Sequence, residues 1–218
     1  MRWLFKKKTE NTRKFTRIFF ATDIHGSEPC FNKFIKAAEF YKADTIILGG
    51  DITGKQMITV ENHQGKWHAH LFGQDWIAST PEELIRLEAQ IRSNGYYPVQ
   101  VTPDERADLE ADPSKVEALF TKQIKDTVSQ WLRLAEERLR DSPVKCFISP
   151  GNDDHFDLDT ILQDSDVVIY PEGKIVDIDG IHTMASCGFA NMTPWRCPRD
   201  VEEDDLRARL EAMLANLE

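Results

Sequence analysis

Three short stretches of this 218-residue chain carry the residue types that hold divalent cations: Asp23-Ile24-His25, Gly50-Asp51 and Gly151-Asn152-Asp153-Asp154-His155. Carboxylate and carboxamide oxygens are hard donors, and imidazole suits manganese, iron and zinc. Each stretch follows an apolar run that ends abruptly: Ile18-Phe19-Phe20-Ala21, Thr45-Ile46-Ile47-Leu48 and Val144-Lys145-Cys146-Phe147-Ile148-Ser149. One such turn by itself reads more readily as a tight turn with a solvated aspartate. Three together make a constellation suited to a pair of divalent ions. Asp51 would bridge them at about 3.5–4 Å, with Asp23 and His25 on the first and Asn152 on the second. A water between two such ions loses its proton near pH ~7 and can attack phosphorus in line. The ions would also neutralise charge growing on the phosphoryl oxygens.

Such chemistry requires that three strand ends meet. Ser27 and Pro29 open a helix whose apolar stripe is Phe31, Phe34, Ile35, Ala38 and Tyr41. Residues 17–51 therefore read as a β-α-β unit with a parallel pair and a right-handed crossover. Ligands of open α/β sheets bind just beyond the carboxyl ends of strands, where Asp23 and Asp51 fall. Gly49 to Gln56 nearly matches a phosphate-cradling G-x-x-x-x-G-K-[ST] loop. Gln56 lacks the hydroxyl that would bind magnesium, Asp51 would repel the anion, and Met57-Ile58-Thr59-Val60 reads as strand where a helix must begin. The nucleotide-loop reading is therefore set aside.

Residues 56–140 read as a mainly helical insertion. A hairpin over Met57–Val60 and Trp67–Phe72 carries His63, His68 and His70, expected to be exposed or to rim the site. Thr80-Pro81-Glu82-Glu83 is a capping box for a helix ended by Asn94-Gly95. Asp112-Pro113 caps a second helix of about seven turns. Its stripe is Val116, Leu119, Phe120, Ile124, Val128, Trp131, Leu132, Ala135 and Leu139. Beyond the third ligand stretch, 167–169, 174–178 and 181–185 read as a second antiparallel layer, with His182 packed in a strand. Arg196 or Arg199, in a proline-rich loop with Trp195, is a candidate phosphate holder. Glu202-Glu203-Asp204-Asp205 opens a last helix with Leu206, Leu210, Met213, Leu214 and Leu217 on one face.

Composition narrows the class. A formal charge of −10 argues against broad nucleic-acid or anionic-membrane binding. No apolar run approaches the ~18 residues of a membrane span, and the apolar centre after Met1 is too short for a signal peptide, so a cytoplasmic location is expected. Arg2, Lys6, Lys7, Lys8, Arg13, Lys14 and Arg17 form a basic start that reads as a solvated tail. Cys30, Cys146, Cys187 and Cys197 lack C-x-x-C spacing and read as reduced thiols.

Asp23-x-His25, Gly50-Asp51 and Gly151-Asn152 resemble the D-x-H, G-D and G-N blocks of the calcineurin-like metallophosphoesterases, in the same order and over about residues 17–155. The continuation to Trp195 and Pro198 is similar to a branch carrying Gly-Asn-Asp-Asp. The resemblance implies one α/β domain over 1–218, a two-layer mixed β-sandwich flanked by helices. It implies hydrolysis of a phosphomonoester or phosphodiester by two divalent ions, Mn, Fe or Zn, held by Asp23, His25, Asp51 and Asn152. Many members place His after the Asn to contact phosphate and protonate the leaving group. Here Asp153 stands there, with His155 two residues on, so either is the candidate general acid. The family's later H-x-P-like and G-H-x-H blocks do not occur, which implies a C-terminally incomplete member. The rival reading is a binding or scaffold protein that uses 56–140 for partners.

Overall fold

The structure, a computed structural model, describes residues 15–215. The basic stretch before Phe15 and the end of the last apolar face at Leu217 lie outside the described residues. The chain begins with β1 (Ile18–Ala21), α1 (Glu28–Phe40) and β2 (Thr45–Leu48). Next come β3 (Met57–His63), β4 (Lys66–Leu71), β5 (Gln74–Ala78), α2 (Pro81–Ser93), β6 (Tyr97–Val101), α3 (Pro103–Ala111) and α4 (Pro113–Leu139). The chain then returns through β7 (Lys145–Ile148), α5 (Asp157–Gln163) and β8 (Val168–Ile169). The described residues close with β9 (Ile175–Asp177), β10 (Thr183–Ala185), β11 (Ala190–Asn191), β12 (Asp200–Val201) and α6 (Glu203–Leu214). The architecture is mixed α/β, with six helices and several sheets among the described residues.

The first sheet has the order β1-β2-β7-β8 and every pairing is parallel. Its register aligns Ala21 with Leu48 and Leu48 with Ile148, so the three strands end level with one another. Alternate residues face the helices: Phe19, Ala21, Ile46, Leu48, Cys146 and Ile148 join one core with Phe31, Phe34 and Trp131. Phe31 and Trp131 stack at 4.5 Å between ring centroids. Burial of each large apolar side chain contributes about 1.5–3 kcal/mol, and the inner strands β2 and β7 bury Ile47 and Phe147 on their other face as well. Ile18 and Phe20, on the opposite face of the edge strand, remain exposed.

Residues 56–140 hold more sheet than their pattern suggests. The expected hairpin is part of a four-stranded sheet, β5-β4-β3-β6, with α2 packed on it through Leu84, Leu87 and Ile91. Strand β6 contains Pro98, which argues against a strand when met in a sequence. It sits at the sheet edge, where a missing N–H breaks no ladder on the free side, and Tyr97, Val99 and Val101 alternate inward. Helix α3 is likewise unexpected, although Thr102-Pro103-Asp104-Glu105 repeats the signature of Thr80-Pro81-Glu82-Glu83. Thr102 and Glu105 form a reciprocal capping box.

Other expectations need correction. Strand β8 extends the parallel sheet instead of joining an antiparallel layer; of the three stretches expected in that layer, the last two pair antiparallel, as β9 and β10. His182 is not packed in a strand: it is exposed just before β10, its Nδ1 2.8 Å from Asp179 Oδ2. The stripe of α4 is buried only from Ile124 onward, and Val116 is exposed. No residue of α6 is fully buried; Leu206 and Met213 are half-buried, while Leu210 and Leu214 are exposed. His63 and His70 are exposed and paired with Glu61 and Asp75. The four cysteines are free thiols, and burial pushes the Cys146 thiol up to about 12. No helix among the described residues is long and apolar enough to cross a membrane.

Candidate metal centre

The turns after β1 and β2 are zipped together by backbone hydrogen bonds that continue the parallel pairing beyond the strands. Asp23 N donates to Gly50 O at 3.0 Å, His25 N to Asp51 O at 3.0 Å and Gly26 N to Ile52 O at 2.8 Å. This brings Asp23 and His25 against Asp51. All three have positive φ, at 56°, 41° and 50°. A left-handed backbone at a non-glycine residue costs about 1–3 kcal/mol, and three in one cluster mark a place where local stability yields to side-chain placement.

One ligand atom from each of Asp23, His25 and Asp51 lies within 4.8 Å of the others. His25 Nε2 is 3.7 Å from Asp23 Oδ1 and 3.8 Å from Asp51 Oδ2. Those separations are too long for hydrogen bonds, yet suit ligands that each stand about 2.0–2.2 Å from a common ion. His25 Nδ1 is buried without a hydrogen-bond partner. The donor set of two carboxylates and one imidazole therefore fits a divalent cation. Burial is the largest influence on the Asp51 carboxyl and raises it above the usual carboxylate range. The Asp153 N–H opposes this, while the Asp154 charge adds to it. A bound cation would favour the ionised form and so offset the burial.

The third turn arrives by close backbone approach. A Cβ on Gly151 would stand 2.1 Å from Asp51 Oδ1 and 2.3 Å from Asp51 N, so only glycine leaves room for that carboxylate. Gly50, at φ +117°, meets Gly151 Cα in the same way at 2.7 Å. Asn152 follows directly. Its Nδ2 donates to Asp200 Oδ1 at 2.9 Å, which ties down the amide nitrogen and leaves the side-chain carbonyl oxygen available as a metal ligand. Asp200 is itself held by the backbone N–H groups of Thr193 and Cys197. Asp153 places its N–H 3.3 Å from Asp51 Oδ1 and its carboxylate 2.6 Å from Lys55 Nζ. The hydrogen bond to Asp153 raises the Lys55 ammonium above its ordinary range. The His155 ring is exposed, and its backbone oxygen accepts from Arg199.

Arg199 corrects the phosphate-holder expectation. It is 1% exposed, and its guanidinium donates to Asp154 O at 3.0 Å and to Asp159 Oδ1 at 2.6 Å while lying 4.4 Å from the Phe156 ring centroid. A side chain so committed braces the loop and has no reach to a substrate. Arg196 is exposed, at φ +51°.

Two supporting residues were given no role of their own by the motif reading. Asp154 is fully buried and accepts from the backbone N–H groups of Ile52, Thr53 and Gly151. It thereby stitches the turn after β7 to the turn after β2. Tyr97, from β6, accepts the Gly54 N–H at 2.8 Å on its hydroxyl. The doubled Asp153-Asp154 was the signal for the first; nothing local marks the second. Comparison of the chain with protein-family models, with curated proteins and with solved structures finds no match.

Proposed function

We propose that this chain is a divalent-metal-dependent phosphoesterase of the calcineurin-like class. The observation that carries the reading is the convergence of Asp23, His25 and Asp51 at the carboxyl ends of adjacent parallel strands, with the Gly151-Asn152 backbone against Asp51. In this reading Asp23 and His25 hold one ion, Asp51 is shared, and the Asn152 carbonyl oxygen serves the second. Bound cations would supply Lewis-acid activation of water and neutralise charge on the phosphoryl oxygens. The chain's own part is to fix the donors: Asp154 and Gly151 keep the turns in contact, and Asp200 aims Asn152. The substrate is a phosphate ester, and the metals are Mn, Fe or Zn.

Hydrolysis of p-nitrophenyl phosphate with and without Mn2+, beside Asp51→Asn, tests the reading. Activity should require the metal. Removing a direct ligand should cost at least as much as removing an outer-shell partner, so a loss of about a hundredfold or more is expected. Turnover indifferent to both metal and substitution ends the proposal. A non-hydrolytic binding protein is the rival, favoured by one observation: among the described residues a single His/Asp group is gathered, enough for one cation. Binding of one Mn2+ by calorimetry without turnover would select it.

A further inference from the structure

Lys55 projects from a backbone pinned on two sides. Asp154 takes the N–H groups of Ile52 and Thr53, and the Tyr97 hydroxyl takes that of Gly54. From this fixed base the side chain reaches across to the turn after β7, where Nζ meets Asp153 Oδ2 at 2.6 Å. The backbone N–H of the same Asp153 points to Asp51 Oδ1. The ammonium therefore stands on the rim of the Asp23, His25 and Asp51 group. Its side chain is 60% exposed while that of Asp153 is 21% exposed. An ammonium has three donors, and Asp153 occupies one. The other two have no partner among the described residues.

Resting on the phosphoesterase reading, we propose that Lys55 orients the phosphoryl group of the substrate and thereby selects phosphomonoesters over phosphodiesters. The reason is a count of oxygens. A monoester offers three non-bridging oxygens and a diester two. Where two of them face cations, only the monoester keeps a third for a side-chain donor. A monoester is also a dianion near neutral pH, and a compact ammonium matches that extra charge as a point. Asp153 holds the lysine extended in advance, so little side-chain freedom remains to be lost when the ester arrives. The acceptor it presents is a carboxylate, and a phosphoryl oxygen is an acceptor of the same kind.

The test compares the full chain with Lys55→Ala and Lys55→Arg, each loaded with Mn2+ and each checked by thermal melting. Inorganic phosphate binding is measured by calorimetry, and kcat/KM is measured for p-nitrophenyl phosphate and bis(p-nitrophenyl) phosphate. Lys55→Ala should weaken phosphate binding and monoester kcat/KM by about tenfold, the size of one charge-assisted hydrogen bond. Diester kcat/KM should change by less than about twofold, and Lys55→Arg should recover most of the monoester loss. A wild-type chain that turns over esters while Lys55→Ala binds phosphate equally well, or loses both esters in parallel, overturns the role of Lys55 and leaves the phosphoesterase reading standing. A wild-type chain that neither binds phosphate nor hydrolyses either ester with Mn2+ removes that reading and this inference together.

Discussion

The Thr53 hydroxyl donates to Asp154 Oδ1 at 2.7 Å, a buried bond between residues 101 positions apart that joins the turn after β2 to the turn after β7. Through it and the neighbouring N–H groups, one carboxylate sets the spacing between Asp51 and the Gly151-Asn152 backbone. The candidate centre is thus held by a residue that is not itself among its ligands.

Asp154→Ala leaves the N–H groups of Ile52, Thr53 and Gly151 and the Thr53 hydroxyl without this acceptor. Each orphaned buried group costs about 1–3 kcal/mol when water cannot replace the partner, and partial relaxation should hold the total near 3–5 kcal/mol. Asp154→Asn keeps one acceptor oxygen and should cost less. Urea denaturation of the two variants against wild type measures both, and equal stability of all three would refute the stitching role.

Gly151→Ala drives a methyl group into Asp51, because the added carbon would stand 2.1 Å from Oδ1. The contact is relieved only by moving the carboxylate or the backbone, so the expected result is weaker Mn2+ binding with a stability loss of about 1–3 kcal/mol. Calorimetric titration with Mn2+ reads the first effect and thermal melting the second. Unchanged Mn2+ affinity would place the ion away from Asp51.

Asp179 supplies the pH dependence. Hydrogen bonds from Thr16, then from the His182 ring and the His182 N–H, hold its carboxyl below the usual range. A carboxyl depressed on folding contributes stability that is present above the unfolded value of about 3.9 and fades as pH falls toward the lower folded value. Asp179→Asn should therefore melt below wild type at pH 7. The gap should begin to close once the pH drops under about 4. A gap that stays constant or widens on acidification would show that the carboxylate charge contributes nothing at this turn.

Much of the site was legible locally. Runs such as Ile46-Ile47-Leu48 ending in glycine mark buried strand ends, and the helix starts at Thr80 and Asp112 announce themselves by a side-chain cap and proline, that after Ser27 by proline alone. Strand β6 and helix α3 were not legible. Pro98 weakens a strand pattern until the sheet edge is known, and α3 has no buried face to produce a stripe. Arg199 looks like a phosphate ligand by type, and its burial against Asp159 and Phe156 is a matter of packing.

The amino-acid order by itself determined which residues stand at strand ends, because backbone propensity, alternation and turn chemistry act over a few neighbours. It therefore determined Asp23, His25, Asp51 and Asn152 as candidates. Only the tertiary structure decided that Asp154 joins two turns, that Lys55 pairs with Asp153, and that Asp200 aims Asn152. Those roles depend on hydrogen bonds between groups tens of residues apart, whose meeting follows from strand order and register and leaves no periodic trace along the chain.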